Sequence, residues 1–213
     1  MFQRDIMPRQ IAITKVIDGV LDGFKESQKN YVAWSGGFWL WQAPEYLITV
    51  TVAKKINEIE GSKYITLEHG STATLEDAGA KGRGRLPIDI REKGKVDILL
   101  WWGNDTPRAI IEIKNQISSR IQYEKDFKRI RKLLERNGEE SSLQFGIFAF
   151  YDSAKNGPQK TAKEKISDKI DNIYRESKKI MGNNFAITLY KTDIVEEVKD
   201  NAWGAACILA KLK

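Results

Sequence analysis

The chain carries a single cysteine and a single histidine among 213 residues. Cys207 alone cannot close a disulfide within the chain, and a cysteine-rich zinc site goes with it. His69 alone leaves no His-based zinc centre and argues against a Ser-His-Asp triad; it reads as an ordinary residue at a strand end. No apolar run approaches a membrane span, and the opening MFQRDIMPRQ lacks the apolar core of a signal peptide. The expectation is a cytoplasmic protein with no membrane partner. What remains for catalysis is carboxylates, lysines and a hard metal.

The rest of the composition is that of a soluble globular protein, with 41% hydrophobic and 30% charged residues. The length allows one large domain or two small ones, with ample apolar material for a core. A formal charge of +6 and a pI near 9.2 favour a polyanionic partner. There is no internal repeat, low-complexity tract or linker, so residues 1–213 are expected to form one domain.

The informative stretch is KVDILLWWGNDTPRAIIEIKNQ, residues 95–116. Two apolar runs flank Gly103-Asn104-Asp105-Thr106, which is turn chemistry, so the stretch predicts a β-hairpin. A turn centred between Asn104 and Asp105 sets Asp97 opposite Glu112. Alternation along the strand then puts Lys114 on the same face as Glu112. Two neighbouring carboxylates repel unless a positive charge lies between them. Hard oxygen ligands suit Mg²⁺, which can polarise a phosphoryl oxygen and activate water. The Lys114 ammonium would orient that water or offset charge on the phosphate. A cross-strand ion pair on a half-exposed hairpin is the plain alternative.

Around the hairpin, Gln10 to Ser27 carries Ile11, Ile13, Val16, Ile17, Val20, Leu21 and Phe24 near helical period. YVAWSGGFWLWQAPEY follows, with tryptophans around a Gly-Gly turn; a packed hairpin or loop is one reading and a platform for unpaired bases the other. Pro44 opens a helix, PEYLITVTVAKKINEI, and YITLEH reads as a strand. Gly70 to Arg85 is small, polar and glycine-rich, a loop whose Lys81, Arg83 and Arg85 are candidates for phosphate contact or simply for solvent. Ser118 to Arg136 is a helix on the line Tyr123, Phe127, Ile130 and Leu134. Its other side carries a basic stripe with Lys128, Arg129 and Lys132, either a solvated face or a track for phosphates. LQFGIFAFY is a buried strand, Ser153 to Gln159 a loop and Thr161 to Met181 a helix. FAITLYK and AWGAACILAKL close the chain as strands. The order predicts an α/β fold, a mixed sheet flanked by helices on both faces.

Helix, strand, Asp-bearing strand, strand with E-x-K, helix and strand in this order resemble the core of the PD-(D/E)xK nuclease superfamily, the restriction-endonuclease-like fold. The resemblance covers roughly residues 44–152, with the flanks as elaborations. It implies that Asp97 and Glu112 bind Mg²⁺ or Mn²⁺ with the backbone carbonyl of Ile113, and that Lys114 is the motif's lysine. Glu45 matches a further acid of many members. Val96, not proline, precedes Asp97, and Asp89 in Pro87-Ile88-Asp89 is the alternative first acid. Arg120 stands where the exonuclease branch would have a tyrosine after Gln116.

The sequence therefore predicts a Mg²⁺-dependent phosphodiesterase of nucleic acid, most readily a DNA endonuclease, with a homodimer left open. The competing classes are a non-catalytic nucleic-acid-binding module and a protein-interaction module.

Overall fold

The computed structural model describes residues 10–61, 63–80, 94–136, 138–197 and 200–213. In chain order the elements are α1 (Ile13–Trp34), a 3-10 turn (Leu40–Gln42), α2 (Glu45–Asn57), β1 (Lys63–Gly70), α3 (Ser71–Asp77), β2 (Lys95–Trp102) and β3 (Pro107–Asn115). They continue with α4 (Arg120–Glu135), β4 (Phe145–Lys155), α5 (Ala162–Met181), β5 (Phe185–Lys191), β6 (Val195–Glu197) and β7 (Asn201–Leu212). The strands form one sheet in the order β1-β2-β3-β4-β7-β5, with β6 on the end of β7. β3 and β4 run parallel and the other neighbours antiparallel. This is the expected mixed sheet flanked by helices.

Both faces of the sheet are covered, which explains why its central strands read as unbroken apolar runs. On one face Ile98, Leu100, Ile111, Ile113, Ile147 and Ala149 pack under α1 and α2, against Val16, Val20, Phe24, Ile48 and Val52. On the other, Leu99, Ile110, Phe148, Phe150 and Ile208 meet Phe127, Ile130, Ile166 and Ile170 of α4 and α5. α4 connects the parallel pair β3 and β4 and approaches β4 closely at Gly146. A Cβ there would stand 2.4 Å from Cγ2 of Ile130, so only glycine lets the helix lie this near.

α4 and α5 start within two residues of the expected bounds at Ser118 and Thr161. Ser119 and Gln122 make a capping box before α4, and Thr161 and Glu164 another before α5. The β2–β3 register is the expected one where it matters: Ile98 pairs with Ile111, Leu99 with Ile110 and Leu100 with Ala109. A bulge between Leu100 and Trp101 absorbs the difference near the tip, where Asp105 takes a left-handed φ of 64°.

Four local expectations are corrected. The stretch from Gly70 is not all loop: Ser71–Asp77 is a helix, held because Leu75 buries itself beside β2. Ser153 to Lys155 continues β4, because backbone pairing with Trp203, Ala202 and Asn201 of β7 needs no apolar side chain. The tryptophan-rich stretch is no hairpin, and α1 runs seven residues past Ser27 to Trp34 before the 3-10 turn. β6 lies where no strand was expected; its side chains are exposed and leave no alternating pattern to read. Lys81, Arg83, Arg85 and Asp89 lie outside the described residues.

Candidate active site at the mouth of the hairpin

β2 begins where β3 ends, because the two strands are antiparallel. Asp97, Glu112 and Lys114 thus sit at the open end of the hairpin, and Glu45 reaches the end of β3 from the first turn of α2. The Asp97 carboxylate accepts a hydrogen bond from the Ile113 N–H at 2.7 Å. Glu45 grips the end of β3 with both oxygens: Oε1 accepts from Lys114 Nζ at 3.1 Å and Oε2 from the Asn115 N–H at 2.9 Å. Asn115 returns the contact by donating its side-chain amide to the carbonyls of Leu40 and Ala43. The segment leading into α2 is therefore fastened to β3 from both sides.

Lys114 Nζ also donates to the Ile113 carbonyl at 3.0 Å and lies 3.4 Å from Asp126 Oδ2. Burial opposes its charge, but Asp126, Glu45 and Asp97 outweigh that, and the ammonium is pushed up to about 12. At neutral pH Lys114 is a fixed cation rather than a base.

Glu112 has no exposed surface. Its Oε1 accepts from Arg129 Nη1 at 2.9 Å, while its Oε2 is buried without a hydrogen-bond partner. Burial pushes this carboxyl well up; Arg129 pulls it back, and Asp97 and Asp126 push it further. Burial raises Asp97 as well, against the Ile113 N–H and Lys114. Asp126 is raised by burial against Lys114 and Arg129; its Oδ1 accepts from Arg129 Nη2 at 3.2 Å and its Oδ2 is likewise buried without a hydrogen bond.

The fold thus brings together all four predicted side chains, Glu45, Asp97, Glu112 and Lys114, with the Ile113 carbonyl among them. It adds two that the motif did not supply. Asp126 is legible in hindsight as an acid on the apolar line of α4, between Tyr123 and Ile130. Arg129 was expected on the outward stripe, and this is corrected: it turns inward, donating to Glu112, Asp126 and the Lys95 carbonyl. The unneutralised Glu112 draws it in. Lys128 stays outside, 2.7 Å from Glu124, and Lys132 is half-buried.

Four carboxylates here face two cations. Among the described residues no three acidic, histidine or cysteine side chains converge as a ligand set. Two carboxylates, one with a buried oxygen lacking a hydrogen bond, beside a main-chain carbonyl nevertheless suit a hard divalent ion that keeps most of its waters. The excess of acid over base has the sign such an ion would neutralise. No helix among the described residues is long and apolar enough to cross a membrane. Comparison of the chain with protein-family models, curated proteins and solved structures finds no match.

Proposed function

We propose that this protein is a metal-dependent phosphodiesterase of nucleic acid, a DNA endonuclease built like the restriction-endonuclease-like enzymes. The observation that carries the proposal is the Lys114 ammonium, held by Glu45 and the Ile113 carbonyl beside Asp97 and the unsatisfied oxygen of Glu112. Such a group is costly to bury and has no evident structural need for two extra acids.

Asp97 and Glu112, with the Ile113 carbonyl, would hold Mg²⁺ or Mn²⁺. When bound, such an ion supplies Lewis-acid polarisation of the phosphoryl oxygen and eases deprotonation of water. Lys114 stays protonated and stabilises charge that develops on the phosphate. Glu45 positions Lys114 through its Oε1 and fixes the strand end through its Oε2. Lys125 and Lys128, exposed on α4, would follow phosphates by charge alone, Lys128 by exchanging its ion pair with Glu124 for a phosphate.

A second reading has one observation in its favour. Arg129 already partners Glu112 and Asp126, as in a structural ion network. That would suit a nucleic-acid-binding module without chemistry. Incubation of the protein with plasmid and single-stranded substrates in Mg²⁺, Mn²⁺ or EDTA separates the two. Cleavage that stops in EDTA and in Asp97→Ala supports the enzyme; binding without cleavage in either metal supports the module.

A further inference from the structure

The residues between α1 and α2 do more than connect. Eight large hydrophobic side chains are exposed among the described residues, and five of them, Trp34, Phe38, Trp41, Tyr46 and Val50, fall between positions 34 and 50. Four of the five are aromatic. An apolar surface that merely escaped burial would be spread over the chain; most of this one is concentrated on the stretch from the end of α1 into α2, on either side of Glu45. The backbone is built to turn it outward. Gly36 and Gly37 both have left-handed φ, 72° and 108°, which any other residue would strain to adopt. Gly37 N–H caps α1 on the Val32 carbonyl, and Ser35 Oγ accepts from the Phe38 N–H. The rings are thus presented from an ordered turn.

These rings do not cover a flat patch. Phe38, Trp39 and Trp41 line a cleft of about 480 Å³ together with Gln116, Ser153 and Lys155. Gln116 directly follows Lys114-Asn115. Its backbone is left-handed, φ 57°, while its side chain donates to the Ser153 carbonyl and accepts from the Ser153 N–H. That side chain extends the β3–β4 pairing to Ser153, past the last main-chain bond from the Gln116 N–H to the Tyr151 carbonyl. The Asn115 bonds to the Leu40 and Ala43 carbonyls hold the aromatic wall to the same strand end as Lys114. Cleft and charged site share one support.

We propose that this cleft seats an unpaired nucleobase of a single-stranded segment, stacked on Trp41 or Phe38, while its phosphates pass Lys155 toward Lys114. The inference rests on the nucleic-acid reading above and narrows the substrate to nucleic acid with unpaired bases. Three features select a base as the occupant. The exposed rings are flat and few, as a stacking platform needs, and every base has a π-face to offer them. The walls carry amides and an exposed lysine rather than the aliphatic lining a protein helix would seek. The chain's charge of +6 complements a polyanion.

The test uses the whole 213-residue chain in EDTA, where binding is read without cleavage. The probes are a labelled oligothymidylate, a blunt duplex of equal length and the same oligothymidylate with abasic sites at its centre. Wild type should bind the single strand tighter than the duplex and lose on the order of ten-fold on removal of the bases. Trp41→Ala and Phe38→Ala should lose a similar factor, with Trp41→Phe restoring most of it and quenching of tryptophan fluorescence falling in step. Thermal unfolding of these surface variants should match wild type, which assigns any loss to contact. Equal affinity for intact and abasic strands, or for wild type and Trp41→Ala, overturns the inference. So does self-association that Trp41→Ala abolishes without touching oligonucleotide binding, because the cleft then belongs to a second copy. Failure of the nuclease reading looks different: base-dependent binding through Trp41 persists, and no metal supports cleavage.

Discussion

Arg129 Nη1 stands 2.9 Å from Oε1 of Glu112, a carboxylate with no exposed surface, and the two come from α4 and β3. The pair ties the helix that crosses between the parallel strands to the strand that bears the E-x-K residues. Glu112 is left with one satisfied oxygen and one that has no hydrogen bond. Its charge is thus half compensated, the condition in which a buried acid is sensitive to its neighbours and to pH.

Removal of the cation should be severe. Arg129→Ala strands Glu112 in the core and is expected to lower stability by about 3 kcal/mol, the low end for a broken buried pair because Arg129 keeps some solvent. Glu112→Gln in that background should recover most of the loss. Urea unfolding of the two single variants and the double variant measures the coupling, and additive losses would show that the two groups do not interact.

The pH dependence follows from the raised Glu112 carboxyl. Its folded value lies above its unfolded one, so the protonated form is favoured by folding. The associated stability is fully present below the ordinary glutamate range and is lost as pH rises through the folded value. Glu112→Gln should therefore gain on wild type progressively from acid toward neutral pH. Urea midpoints of both proteins across that interval give the difference; a constant offset would mean that Glu112 titrates normally.

Cleavage should depend on the grouped residues and not on the neighbouring acid of the sequence. Asp97→Ala, Glu112→Gln and Lys114→Ala are each expected to lower the single-turnover rate on the order of 100-fold or more, with unchanged circular dichroism. Asp89→Ala should cut at the wild-type rate; a dead Asp89→Ala beside an active Asp97→Ala would move the first acid.

Metal should also register without chemistry. An ion bound only by the native state, with dissociation near the millimolar range, stabilises by about 1–2 kcal/mol at ten-fold excess. Wild type should melt a few degrees higher in Mg²⁺ or Ca²⁺, with Ca²⁺ failing to support cleavage, and Asp97→Ala should show no shift. Equal shifts in the two proteins would leave the acids as a structural ion network.

The outward lysines of α4 make a separate claim. Replacing Lys125 and Lys128 by glutamine should reduce the slope of log affinity against log salt by about one to two, since fewer counterions are released. Arg129 does not belong in that experiment, because its loss would disturb Glu112. An unchanged slope returns the two lysines to the solvated surface.

The sequence by itself determined the local geometry on which the site depends. Alternation along β2 and β3, with turn residues at 103–106, set Asp97, Glu112 and Lys114 together at the open end of the hairpin, since a one-residue slip would have turned Asp97 away from the other two. Period 3.6 in α4 and α5 fixed which line of each helix is buried. The tertiary structure decided what local patterns do not carry. Only the packed layers bring Glu45 to Lys114, 69 residues away. Only they turn Arg129 inward, because an arginine on a helix flank is solvated until a buried carboxylate lies across from it. They also make a helix of Ser71–Asp77, where burial of Leu75 overrides weak local preference, and place β7 between β4 and β5. Such choices rest on contacts between distant segments, whose free energy exists only once both surfaces have left water together.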